Sequence, residues 1–180
     1  MTTSTASRFE AALEALDVTV SRVESDAFQT HVEELVEPHA VGVALEEAFE
    51  DPAPSLDGTS VEVDPTPATL QAATTGVTGA SLGVADYGSV VLSVTDGASE
   101  LVSLFVDRHV AVVRESDIVA DMETAIDAVA DEFGRAGGSA ILATGPSATA
   151  DMGALVKGAH GPREVHVVVL TDAPDAEGEG

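Results

Sequence analysis

The chain predicts an α/β domain built as three layers around a mainly parallel sheet, and three observations carry that expectation. Short apolar runs of strand length recur at 40–45 (AVGVAL), 88–93 (GSVVLS), 109–113 (HVAVV) and 165–170 (VHVVVL). Such runs are apolar throughout rather than alternating, as in strands buried on both faces. Segments with helical spacing lie between them, and that alternation belongs to α/β folds. Finally, 44% of the residues are hydrophobic and the mean hydropathy is +0.20, which sets the chain apart from acidic disordered sequences.

The elements follow in order. Arg8 to Leu16 is amphipathic, with Phe9, Leu13 and Leu16 on one face behind capping Thr and Ser residues. Val18, Val20 and Val23 suggest a strand. Asp26 to Glu37 fits a second helix, with Phe28, Val32, Leu35 and Val36 inward, stopped by Pro38. Ala40 to Leu45 reads as a buried strand, and Glu46 to Ser60, acidic and proline-bearing, as a surface loop. Thr66-Pro67 marks a helix start. Thr75 to Ala85 is rich in Gly, Thr and small apolar residues. Gly88 to Ser93 is a strand followed by a turn at Asp96-Gly97. Glu100 to Val106 suits either strand or helix. His109 to Val113 is a strand, and Ser116 or Asp117 caps a helix from Ile118 to Phe133 with Ile118, Met122, Ile126, Val129 and Phe133 inward. Gly137-Gly138 breaks the chain before a strand at Ala140 to Ala143. Val165 to Leu170 is the last strand. One domain over 1–172 is expected, with an acidic tail at 173–180.

Charge and composition exclude several functions. The 32 acidic and 7 basic residues give a net charge of −25, which repels nucleic acid and anionic membranes. Cysteine is absent, so this chain supplies no thiolate for catalysis, disulfides, zinc or iron–sulfur clusters. No apolar run approaches the ~18–20 residues of a membrane span. The opening MTTSTASRFE lacks an apolar signal segment, so a cytoplasmic protein is expected. Lys157 is the single lysine beside six arginines. That balance, over a core of Ala, Val and Gly, resembles proteins of salt-accumulating halophilic archaea, where molar salt screens charge to ~3 Å.

In a parallel sheet, ligands are expected beyond the carboxyl ends of the strands, so Gly/Ser/Thr-rich turns after strands are the places to search. The segment TGPSATADM (144–152) follows the strand ending at Ala143. Gly145 tolerates positive φ, Ser147 and Thr149 offer hydroxyls, and a helix starting near Ala150 would add its dipole to an anion site. Asp151 then either caps that helix or positions substrate or metal. In GVTGASLGVADYGSVVLS (76–93), Thr78 is a donor, Gly88 and Ser89 join a candidate binding surface, and Asp86 is either a turn former or a base or nucleophile. The glycine spacing does not match a dinucleotide fingerprint. In KGAHGP (157–162), His160 is flanked by Gly158, Ala159 and Gly161, which leaves the imidazole open as a general base, an anion donor or a metal ligand, or simply as a loop residue. His109 and His166 read as strand residues and His31 as isolated. No histidine pair has metal-ligand spacing, so no metal site is expected.

Taken together, GVTGASLGVADYGSVVLS, HVAVV and TGPSATADMGALVKGAHGP before a terminal strand resemble the LUD-domain family over about Thr74 to Leu170. Where relatives often carry Glu-Thr-Gly, this chain has Asp86-Tyr87-Gly88. The resemblance implies a fold similar to the CoA-transferase and sugar-phosphate-isomerase group. It also implies an accessory role in L-lactate oxidation beside iron–sulfur partner proteins that carry the clusters. An anionic ligand at Gly145 to Thr149, with Asp86 and His160 in the same cleft, is the site so implied. A stand-alone enzyme acting on a CoA ester or sugar phosphate, or a non-catalytic interaction module, are the alternatives.

The charge generates a direct expectation. Denaturant midpoints should fall on moving from molar to ~0.1 M KCl, where ~10 Å screening leaves like surface charges coupled.

Overall fold

A computed structural model describes residues 3–49, 54–94, 98–151 and 154–171. The expected 96–97 turn and the 173–180 tail lie outside the described residues. In chain order the elements are α1 (Thr5–Ala15), β1 (Thr19–Glu24), α2 (Phe28–Leu35), β2 (Ala40–Gly42), β3 (Glu62–Val63), α3 (Pro67–Ala72), β4 (Thr75–Gly79), β5 (Leu82–Val84) and β6 (Ser89–Ser93). They continue with α4 (Ser99–Leu104), β7 (Arg108–Arg114), β8 (Ile118–Val119), α5 (Met122–Ala136), β9 (Ala140–Thr144), β10 (Ala148–Asp151), β11 (Ala154–Lys157) and β12 (Glu164–Thr171). Single turns of 3-10 helix cover Leu45–Glu47 and Glu115–Asp117.

Six strands form a parallel sheet in the order β1-β12-β7-β4-β2-β3. Side chains of neighbouring strands alternate together between its faces. One face carries Val77, Val110, Val112, Val168 and Leu170, covered by Phe28 and Val32 of α2 and by Leu45, Phe49 and Leu56. The other carries Ala111, Val113, Val165, Val167 and Val169, covered by Phe9 and Leu13 of α1 and by a second sheet. That sheet has the order β8-β5-β6-β9, with β6 antiparallel to both neighbours. Helix α5 packs on its outer side through Met122, Ala125 and Val129. The α/β class with a mainly parallel central sheet is therefore what the structure shows, with a sheet as well as helices over one face.

Several local expectations change. The 46–60 segment is more than a surface loop, because Phe49 and Leu56 enter the core. Residues 75–85 make two strands: β4 is buried at every position, and its small residues admit close neighbours. A Cβ on Gly76 would overlap the Val102 carbonyl, so α4 lies directly on β4. Glu100 to Val106, open between strand and helix, lies largely in α4. Helix α5 begins at Met122, because Asp121 accepts from the Thr124 N–H (2.9 Å) and hydroxyl (2.8 Å). Those two bonds hold the Asp121 carboxyl below its ordinary range. Ile118 instead sits in β8, and Ile126, expected inward, is 60% exposed on the flank of α5. Met122, Ala125 and Val129 are the positions that a helix starting at Met122 turns toward the sheet.

The capping signals read at α1 and α3 are present. Ser4 accepts from the Ser7 N–H, and Thr66 accepts from the Thr69 N–H with Pro67 behind it. No described helix is long and apolar enough to cross a membrane.

Gly88 joins α1 to the second sheet. It sits at φ +60°, and a Cβ there would lie 2.9 Å from the α1 backbone at Ala12 and Leu13. Gly88→Ala should cost about 2–4 kcal/mol, combining left-handed strain with overpacking. Gly58, at φ +80° with open space around its Cβ position, should lose only about 1–2 kcal/mol as Gly58→Ala. Urea unfolding of both variants in molar KCl checks the difference.

Candidate functional site

The two sheets do not meet along their whole length. Toward the carboxyl ends of the central strands, Phe9, Ala80, Val113, Ile118 and Val169 fill the space between them. Toward the amino ends they part, leaving a cleft of about 440 Å³. His109 and Val165, each the second residue of its strand, lie in its floor, and Pro162 just before β12 lies in its rim. The site is thus at the amino rather than the expected carboxyl ends, because α1 and β8 plug the other end.

His109 is placed by register. It pairs with Gly76 of β4 on one side and Val165 of β12 on the other. With no side chain opposite at Gly76, its imidazole reaches diagonally, and its Nε2 lies 2.9 Å from the Thr78 hydroxyl. Burial pushes its pKa down to about 4, so the ring is neutral at pH 7. Sequence reasoning read His109 as structural; its strand start and small neighbours, Gly76 among them, were the available signal. Ser103 and Leu104 of α4 close over the same region.

The 144–152 segment lines the cleft through Thr144, Gly145, Pro146, Ser147, Ala148 and Thr149, as expected. Its form differs from the expectation. Residues 148–151 are strand β10, paired antiparallel with β11, and no helix starts at Ala150. The helix-dipole component of an anion site is therefore absent. Thr149 and Val156 are the β-branched residues of this strand pair and lie opposite each other, and the base of the pair is fastened to the chain before β12. The Ser147 N–H donates to the Pro162 carbonyl (2.8 Å), and the Gly158 N–H to the Ser147 carbonyl (3.0 Å). The His160 N–H donates to Ser147 Oγ at 3.3 Å. Gly145 does take positive φ, at +68°.

Of the predicted residues, Gly88, Gly145, Ser147, Thr149, His160 and Gly161 come together in the cleft. Thr78 stands behind it, holding His109. Ser89 is also one step back, its hydroxyl 2.7 Å from that of Thr144. Asp86 is not in the lining: its carboxylate pairs with Arg8 at the surface. Asp151 ends β10, and its side chain lies outside the described residues. Lys157 and Arg163, the nearby cations, pair with Asp17 (3.4 Å) and Asp107 (3.4 Å) outside the lining. The described residues lining the cleft include no Asp, Glu, Lys or Arg. No group of three His, Cys, Asp or Glu among the described residues is placed to hold a metal ion.

A second polar cluster lies on the opposite face of the central sheet. The Ser21 hydroxyl is 2.7 Å from His31 Nε2 and 2.8 Å from His166 Nε2. Burial, then the charges of Arg108 and His31, pushes the His166 pKa down to about 4.

Comparison with known proteins places this geometry. The model of the LUD domain matches residues 6–170, and the chain belongs to that family. It is 34% identical over 156 residues to Lactate utilization protein C of Deinococcus radiodurans, covering 80% of this chain and 73% of that protein. A Lactate utilization protein C of Geobacillus sp. is 34% identical over 104 residues, covering 56% of this chain and 43% of that one. The fold is similar to the crystal structure of a DUF162 family protein from Deinococcus radiodurans. The TM-score is 0.68 at 23% identity, over 94% of this chain and 99% of that chain.

The neutral state of His109 has a consequence for stability. Above pH 6.5 neither the folded nor the unfolded state protonates it, and its contribution is constant. As pH falls from 6.5 toward 4, the unfolded chain binds a proton that the folded one refuses, so stability is lost. By pH 5 that loss is about 2 kcal/mol. Unfolding followed from pH 7 to 5 should show a smaller decrease in His109→Gln than in the wild type, and imidazole ¹⁵N shifts should report His109 neutral at pH 5.5.

Proposed function

We infer that this chain is an accessory subunit of an L-lactate-oxidising system in which partner proteins carry the iron–sulfur clusters. The likeness to proteins named Lactate utilization protein C carries the reading, because it covers 80% of this chain, and the LUD-domain match over residues 6–170 includes the segments that build the cleft. The absence of cysteine supports the division of labour, since clusters are held by thiolates. The cleft supports a binding role for this subunit. It lies within the size range of ligand sites and combines an apolar floor with a few hydroxyl and imidazole groups at its rim. Asp86 lies outside the lining of that cleft, and its contact with Arg8 ties α1 to the turn before β6. Deleting the gene should abolish growth on L-lactate as sole carbon source while leaving growth on pyruvate intact, with recovery on complementation. Undiminished growth on L-lactate would count against the reading.

A further inference from the structure

The cleft's own chemistry says more about its ligand than the family does. In a chain with 32 acidic and 7 basic residues, the described lining of the cleft holds no Asp, Glu, Lys or Arg. Its histidine floor is neutral, and the turn N–H of Ser147 is already bound to Pro162. A free carboxylate entering here would shed water with no Lys or Arg in the lining to receive it, inside the field of a net charge of −25. The volume of about 440 Å³ belongs to sites that bury drug-sized molecules, far more than a three-carbon acid fills. Leu13, Val90, Leu92, Ile141, Val165 and Val167 supply an apolar body to the site. At the rim, Ser147 Oγ accepts from the His160 N–H, and that bond leaves the hydroxyl's own hydrogen to donate.

We propose that the cleft binds an uncharged, largely apolar ligand with hydrogen-bond-accepting carbonyls, of the quinone class, rather than free lactate or pyruvate. The apolar ring and substituents lie on the valine and leucine floor, and a carbonyl oxygen accepts from Ser147. The choice of class rests on the lactate-oxidation reading. Converting the hydroxyl carbon of lactate to the ketone of pyruvate releases two electrons and two protons. A quinone takes up both to become the quinol. The anionic ligand expected from the sequence depended on a helix start at Ala150, and a hairpin stands there instead.

The test is a titration of the purified chain in molar KCl, followed by amide and methyl NMR. The probes are a short-chain substituted benzoquinone and, separately, sodium L-lactate, pyruvate and phosphate. The benzoquinone should saturate, shifting Ser147, His160, Val165 and Val167, and Ser147→Ala should weaken it about five- to tenfold with an unchanged spectrum elsewhere. The three anions should leave those signals in place. Saturation by an anion at these residues, or no saturable shift with the benzoquinone, would overturn the proposal. Either result leaves the lactate-growth test standing, so the two readings fail separately.

Discussion

Strand β7 is apolar at each position from Val110 to Val113 and buried along that run, and such a strand is stable only where both faces of its sheet are covered. That constraint organises the molecule. Its parallel pairing with β4 and β12 sends Val110 and Val112 toward α2, and His109, Ala111 and Val113 toward α1 and the second sheet. The second sheet is needed because α1 alone is too narrow to cover that face. Where the cover is complete, the core is dry and filled by Phe9. Where it ends, near the start of β7, the gap between the sheets is the cleft.

The same pairing decides the chemistry available there. A histidine at the second position of β7 necessarily faces the gap, and the glycine at its partner position in β4 gives it room to reach Thr78. Burial then keeps it neutral, so it acts as a hydrogen-bonding group rather than a charge. On the other face a part-buried His31–Ser21–His166 chain makes a second such group. Among the described residues the acids lie outside the cleft lining.

Much of the fold was legible in the sequence because buried parallel strands announce themselves as unbroken apolar runs. The strands at 40–42, 89–93, 108–114 and 164–171 and the caps at Ser4 and Thr66 are local signals of this kind. Residues 75–84 were harder, since Gly76, Gly79 and Gly83 look like turn residues but serve as contact points for neighbouring elements. The cleft was half legible. Gly145, Ser147, Thr149, His160 and Gly161 stood out as small or functional residues in turns, and the hairpin base does bring them together. A strand pair and a helix start share the same small polar residues over so short a span, so the helix start expected near Ala150 was misjudged. Asp86 drew attention as a carboxylate just before a strand, yet only tertiary structure reveals Arg8 as its partner. His109 escaped because its role depends on a register that local sequence does not encode.

The account makes the cleft, not the surface around Asp86, the working part of the molecule. Comparing Gly161→Val, whose side chain thickens the cleft mouth against Ser147, with Asp86→Asn tests this most directly. Each variant would replace the chromosomal gene, and the rate of L-lactate-dependent growth would be measured with protein levels matched. The account predicts a severe loss for Gly161→Val and near wild-type growth for Asp86→Asn. Normal growth with Gly161→Val and loss with Asp86→Asn would contradict it.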